Sequence, residues 1–102
     1  MPDNNLIRIR KLLEPVFAKN AVIRALIFGS YARGDESTGS DIDFLVEFAE
    51  GASILNLGCL IEDIKDTIDL PADVLTFHSL KKEPREFSEN VLRDAKVIYE
   101  VS

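Results

Sequence analysis

The tightest constraint on the fold is a run of β-forming residues, Val22 to Phe28, that carries one charge, Arg24, and ends at Gly29-Ser30. Such a run predicts a strand covered on both faces, and the Gly-Ser pair after it predicts a sharp turn. A second run, Ile42-Asp43-Phe44-Leu45-Val46-Glu47-Phe48, has Asp41 at its start and Glu50-Gly51 at its exit. Residues i and i+2 of a strand project from one face, roughly 6–7 Å apart at ~3.3 Å rise per residue. Asp41 and Asp43 therefore aim at one volume of space. Two carboxylates held together repel unless a proton or cation lies between them, and magnesium takes oxygen ligands together with substrate phosphates. The pair is thus read as a magnesium site. Two ions about 3.5–4 Å apart stabilise both the attacking and the leaving oxygen of an in-line phosphoryl displacement, and Asp43, deeper in the strand, is placed to bridge them. Gly29 permits close backbone approach, and the Ser30 hydroxyl, with the amides of a helix starting there, can donate to phosphate oxygens. An Asp-x-Asp alone is a weak signal that also fits a solvated strand edge.

Around these strands the periodicity is helical. From Asn4 or Asn5 as N-cap, Leu6, Ile9, Leu12, Leu13, Val16 and Phe17 share a face, with Pro15 predicting a kink or break near Leu13-Glu14. Leu55, Leu60, Ile61, Ile64 and Ile68 predict a second helix to about Asp69, stopped by Pro71. Ala72 to Phe77 reads as a third strand. Pro84 opens a last helix with Phe87, Val91, Leu92 and Ala95 on its apolar side, and Lys96 to Val101 fits a final edge strand or a frayed end. Helix, strand, strand, helix, strand, helix predicts an α/β (α+β) domain, a small mixed β-sheet with helices packed on it.

A chain of 102 residues suits one domain, 1–102. Its 46% hydrophobic and 29% charged residues give a globular balance that argues against disorder. The uncharged stretch Gly51 to Ile61 falls well short of the ~20 apolar residues of a membrane span. A polar start, Met1-Pro2-Asp3-Asn4-Asn5, lacks a secretory core and predicts a cytoplasmic protein. The net charge of −6 is the wrong sign for direct nucleic-acid binding through many phosphate contacts, whereas metal ions let an acidic protein hold a nucleotide. The single cysteine, Cys59, reads as a small core residue. Ile54 to Ile61 is apolar on more than one side of a helix, which means complete burial or a partner.

Rival motifs fail on their own residues. Gly29 to Gly34 has the frame of a P-loop, but Asp35 stands where lysine is required and Glu36 where serine or threonine is. No Gly-x-Gly supports a dinucleotide turn. His78, the only histidine, has no visible partner and reads as structural or solvated, and Lys81-Lys82 reads as a solvated helix approach. Tyr31 fits stacking beside the site or simple packing. Arg33 fits two roles, neutralising a triphosphate or anchoring the loop through a carboxylate such as Asp35.

The string Gly29-Ser30-Tyr31-Ala32-Arg33-Gly34, followed by Ser40-Asp41-Ile42-Asp43, resembles the signature of the DNA polymerase beta-like nucleotidyltransferase superfamily. It is similar in particular to the minimal nucleotidyltransferases that pair with HEPN-domain proteins in toxin–antitoxin modules, and the similarity extends over most of the chain. That resemblance implies phosphate contact at Gly29 and Ser30 and magnesium ligation at Asp41 and Asp43. It also implies metal or base duty for Asp73, in Ala72-Asp73-Val74-Leu75, as a third carboxylate on a later strand. It further implies two magnesium ions, ATP as substrate, and transfer of AMP to a tyrosine of a HEPN ribonuclease toxin, in a hetero-oligomer or a homodimer. Two other functions are compatible with the residues. One is a binding module that neutralises its partner by contact alone. The other is one half of a small-molecule nucleotidyltransferase, a class that carries a further helical domain.

Overall fold

The two apolar runs become the centre of one sheet. In the computed structural model, which describes residues 4–37 and 39–101, β1 (Val22–Phe28) pairs antiparallel with β2 (Ile42–Phe48). β3 (Ala72–Thr76) lies parallel to β2 on one side, and β4 (Lys96–Glu100) lies antiparallel to β1 on the other, giving the order β3-β2-β1-β4. The parallel β2/β3 pair requires a long crossover, supplied by α3 (Ile54–Thr67). A mixed sheet with helices on it is the α+β architecture expected from the order of elements.

Strand alternation sends Ala25, Ile27, Ile42, Phe44 and Val46 to one face, where α1 (Asn4–Lys19) lays Ile9, Leu13 and Phe17 and α3 lays Leu60 and Ile64. Burying each of these side chains other than Ala25 stabilises the fold by about 1.5–3 kcal/mol. Asn20, buried at the end of α1, donates from its amide to Asp63 Oδ2 at 2.8 Å and ties α1 to α3. The opposite face is thinner. There Leu26 and Leu45 meet Leu80 of α4 (Phe77–Leu80) and Val91 of α5 (Arg85–Asp94). This second face also carries the charged residues of the strands. Arg24 sits 3.3 Å from Glu47 on the neighbouring strand, an ion pair whose Nε lies outside hydrogen-bond geometry, and its guanidinium lies 4.7 Å from the centre of the Phe77 ring. A lone charge on β1 is tolerated because it lies on this side.

Several local expectations are corrected. The helical run continues unbroken through Pro15 to Lys19. Pro15 is exposed and lacks only one N–H, while the fully buried Leu13 and Phe17 hold the turns on either side against the sheet. Asn4 and Asn5 lie inside α1 instead of capping it, and the cap position falls outside the described residues; the Asn5 amide donates to Glu36 Oε2 at 3.0 Å. Cys59 is exposed, since Leu60 and Ile64 occupy the buried stripe and one residue rotates a helix by about 100°. Only Val91 of α5 is buried, while Phe87 and Leu92 are exposed. β3 stops at Thr76, whose hydroxyl accepts from the Ser79 amide at 3.0 Å, so Phe77 and His78 join a helical turn. Of the two readings of Lys96 to Val101 the edge strand holds: Lys96–Glu100 is ordered, continued by the Val101 amide donating to the Ile23 carbonyl at 3.0 Å. Among the described residues, no helix is long and apolar enough to cross a membrane.

Candidate active site

The end of β1 and the starts of β2 and β3 meet at one corner of the sheet, on the thinly covered face. Register places Phe28 opposite Asp43 and Asp43 opposite Asp73, so three neighbouring strands contribute one row. Directly paired residues share a face, and Asp41, one residue before β2, lies close enough to Asp43 to raise its carboxyl. Asp41, Asp43 and Asp73 are thereby brought together, across a separation of thirty residues between Asp43 and Asp73 that only the β2/β3 pairing closes.

Gly29 forms the wall of this corner. Its φ of 76° and ψ of −152° belong to a region open essentially to glycine alone. A Cβ built there would lie 2.6 Å from Asp43 Oδ2, so the bare backbone sits against the carboxylate. The next residues turn once as α2 (Ser30–Arg33), anchored by the buried Tyr31 and Ala32 and closed by Gly34 in the left-handed region at φ 82°. Ser30, at the head of that turn, is half-buried and follows Gly29 directly.

Gly29→Ala is therefore expected to cost about 1–3 kcal/mol in backbone strain alone, before the clash with Asp43 is counted. At about 4–8 °C per kcal/mol for a domain of this size, the loss is readable in a thermal melt. An unchanged melting temperature for Gly29→Ala would show that the turn tolerates a side chain.

The electrostatics of the corner are those of crowded carboxylates. The Asp43 carboxyl is pushed above its ordinary value, first by burial, then by Asp73, then by Asp41. Asp41 and Asp73 are exposed, and among the described residues no three His, Cys, Asp or Glu side chains close into a cage around one point. The donor set fits magnesium nonetheless. It consists of carboxylate oxygens only, mutually repelling, and magnesium is usually held by one or two carboxylates with water and substrate phosphates completing the octahedron.

Arg33 stands beside this corner but faces carboxylates. Its Nε donates to Asp35 Oδ2 at 3.2 Å and its Nη1 to Asp94 Oδ2 at 2.9 Å. These bonds, Asp94 first and Asp35 second, raise its pKa further above the ordinary arginine value. The Asp35 anchor is one of the two roles open to Arg33 in the sequence; the Asp94 partner, on α5, has no local signal that could reveal it. Two cavities, of about 470 and 530 Å³, lie elsewhere, one between the far end of β2 and α4 and one along α3. Neither is lined by Gly29, Asp41, Asp43 or Asp73.

With this geometry in hand, the family model "Polymerase beta, Nucleotidyltransferase" matches residues 11–102. A Methanocaldococcus jannaschii protein, provisionally named a protein adenylyltransferase, is 43% identical over 76 residues, covering 74% of this chain and 82% of that relative. A solved structure provisionally described as a minimal nucleotidyltransferase superposes with a TM-score of 0.74 at 28% identity, over 94% of this chain and 95% of that one. The complex of a tri-AMPylated Shewanella oneidensis HEPN toxin with its MNT antitoxin shares the fold, with a TM-score of 0.66 at 16% identity, over 94% of this chain and 73% of that one.

Proposed function

The chain belongs to the polymerase beta family of nucleotidyltransferases, and from that premise we propose that it is a magnesium-dependent protein adenylyltransferase acting as an antitoxin. AMP passes from ATP to a hydroxyl of a protein partner, a tyrosine of a HEPN-type ribonuclease toxin. The observation that carries this reading is the Gly29–Asp43–Asp73 corner. There a backbone without a side chain lies against a half-buried carboxylate, itself directly opposite a second one. Residues 1–102 form one domain that works in the cytoplasm within a complex. The partner assignment is supported by the fold shared with a toxin-bound antitoxin and by exposed Ile54 and Leu55 on α3, at 78% and 76% exposure, which suit a protein contact.

In this mechanism Asp41 and Asp43 would hold magnesium, and Asp73 would either join them as a ligand or take the proton of the acceptor hydroxyl. Magnesium bound there would supply charge neutralisation on the triphosphate and so lower the barrier to phosphoryl displacement. Gly29 lets the phosphates approach the backbone, and the Ser30 hydroxyl donates to a phosphate oxygen. Arg33 engages two of its five N–H donors with Asp35 and Asp94, which leaves three to contribute to neutralising the triphosphate. The acceptor oxygen attacks the α-phosphorus, its proton goes to the carboxylate, the bond to the β-phosphate oxygen breaks, and pyrophosphate leaves.

Incubation with labelled ATP, magnesium and the co-purifying partner tests the reading. Label on the partner, lost when a chelator is present, is the expected result. A stable complex that never takes up label favours neutralisation by contact alone. Calorimetry gives a second check: ATP affinity should collapse in chelator, and undiminished affinity would remove the metal from the scheme.

A further inference from the structure

Gly29 has a second concavity against it, on the side of α5. It measures about 270 Å³ and is lined by Phe28, Gly29, Phe87, Asn90, Val91 and Asp94, with Arg33. Phe87, Asn90, Val91 and Asp94 follow helical spacing of three, four and seven residues, so one face of α5 forms its wall. Val91 is the buried anchor of that face, yet Phe87, one turn earlier, leaves 41% of its surface in water at the cavity. A large flat ring exposed beside a phosphate-approach turn is suited to stacking against another flat ring.

The polar groups of the cavity keep hydrogen-bonding capacity to spare. Asn90 Oδ1 accepts from Arg93 Nη2 at 2.6 Å, which leaves the amide N–H₂ to donate. The Asp94 carboxylate is held by Arg33 at 2.9 Å and keeps lone pairs free to accept. An amide donor near a carboxylate acceptor complements an exocyclic amine beside a ring nitrogen, the edge that adenine presents. The volume lies below the ~300–1,000 Å³ of pockets that enclose whole drug-sized ligands, and so suits a base whose phosphates lie outside it.

We propose that this concavity is the nucleobase subsite, taking the adenine of a nucleoside triphosphate with Phe87 as its stacking surface and Asn90 and Asp94 as its polar readers. The assignment rests on the reading of the adjacent corner as the triphosphate site, which Gly29 borders on its other side.

Calorimetry in magnesium with ATP, GTP, UTP and inorganic tripolyphosphate separates the two. The wild type is expected to bind ATP about tenfold or more tightly than tripolyphosphate, the low-to-middle range of base stacking on an aromatic side chain. Phe87→Ala should weaken ATP by about the same factor and leave tripolyphosphate unchanged, which also reports an intact fold. Phe87→Trp should retain ATP affinity, and Asn90→Ala should narrow the preference for ATP over GTP and UTP. Equal ATP affinity in the wild type and Phe87→Ala overturns the subsite. Tripolyphosphate bound as tightly as ATP by the wild type overturns the subsite while sparing the corner, whereas failure of the wild type to bind either overturns both.

Discussion

Asp43→Asn should reduce transfer by about 10³-fold or more while giving a folded protein that, free of metal, melts higher than the wild type at neutral pH. The loss follows from the central position of Asp43 in the row, between Phe28 on β1 and Asp73 on β3, where it is the carboxylate most able to bridge bound ions. Metal stabilisation of transition-state charge is worth several kcal/mol, and each 1.36 kcal/mol is a factor of ten. The gain in stability follows from the same geometry. Burial, Asp73 and Asp41, in that order, hold the Asp43 carboxyl above its ordinary value. A carboxyl raised in the folded state gives its full stabilisation below its unfolded value and loses it as the pH rises through the folded one. At neutral pH the wild type therefore bears a penalty that the uncharged amide of the Asp43→Asn variant does not, and the gap between the two melts closes as the pH falls into the acid range. Magnesium with ATP should reverse the order by raising only the wild-type melt. Identical melts at neutral and acid pH, or transfer within tenfold of wild type, would remove Asp43 from the centre of the site.

Asp73→Asn should keep magnesium-dependent ATP binding and lose transfer by at least about 10²-fold, the low end of general acid–base contributions. Asp73 lies directly across from Asp43 in the parallel pair and is exposed, so it is open to an approaching acceptor hydroxyl. Asp41 and Asp43 remain to hold a nucleotide-bound ion when it is changed, which is why binding and transfer should separate. Being exposed and at the start of an edge strand, Asp73 can be replaced with little effect on the fold. Single-turnover transfer measured beside ATP titration provides the test. Near-normal transfer by the folded variant would leave Gly29, Ser30, Asp41 and Asp43 as the whole of the site.

The legible parts of this protein are those that short-range periodicity controls. A period of two put Asp41 beside Asp43, although Asp41 proves to precede the strand that carries Asp43, and the β-rich run ending in Gly29-Ser30 located β1 and its turn. The apolar spacing in α1 named the buried Ile9, Leu13 and Phe17, although it overrated Pro15, because tertiary burial on both sides outweighs one missing backbone bond. The rotational phase of α3 was harder. Its apolar residues run around more than one side, and only contact with the sheet decides that Leu60 is buried while the neighbouring Cys59 faces water.

Spatial relations between distant segments belong to the tertiary structure. The sequence alone determined the two central strands, the glycine turn and the carboxylate pair, since each depends on residues a few positions apart. The pairing of Asp43 with Asp73 depends on the register of a parallel pair joined by a whole helix, and no local pattern sets that register. The hydrogen bond from Arg33 to Asp94 spans 61 residues and exists because α5 packs across β1, which also brings Phe87 and Asn90 beside Gly29. Burial decides both placements: Leu60 and Ile64 dock α3 on one face of the sheet and so carry β3 to β2, while Val91 packs with Leu26 and Leu45 on the other face and so brings α5 beside Arg33 and Gly29.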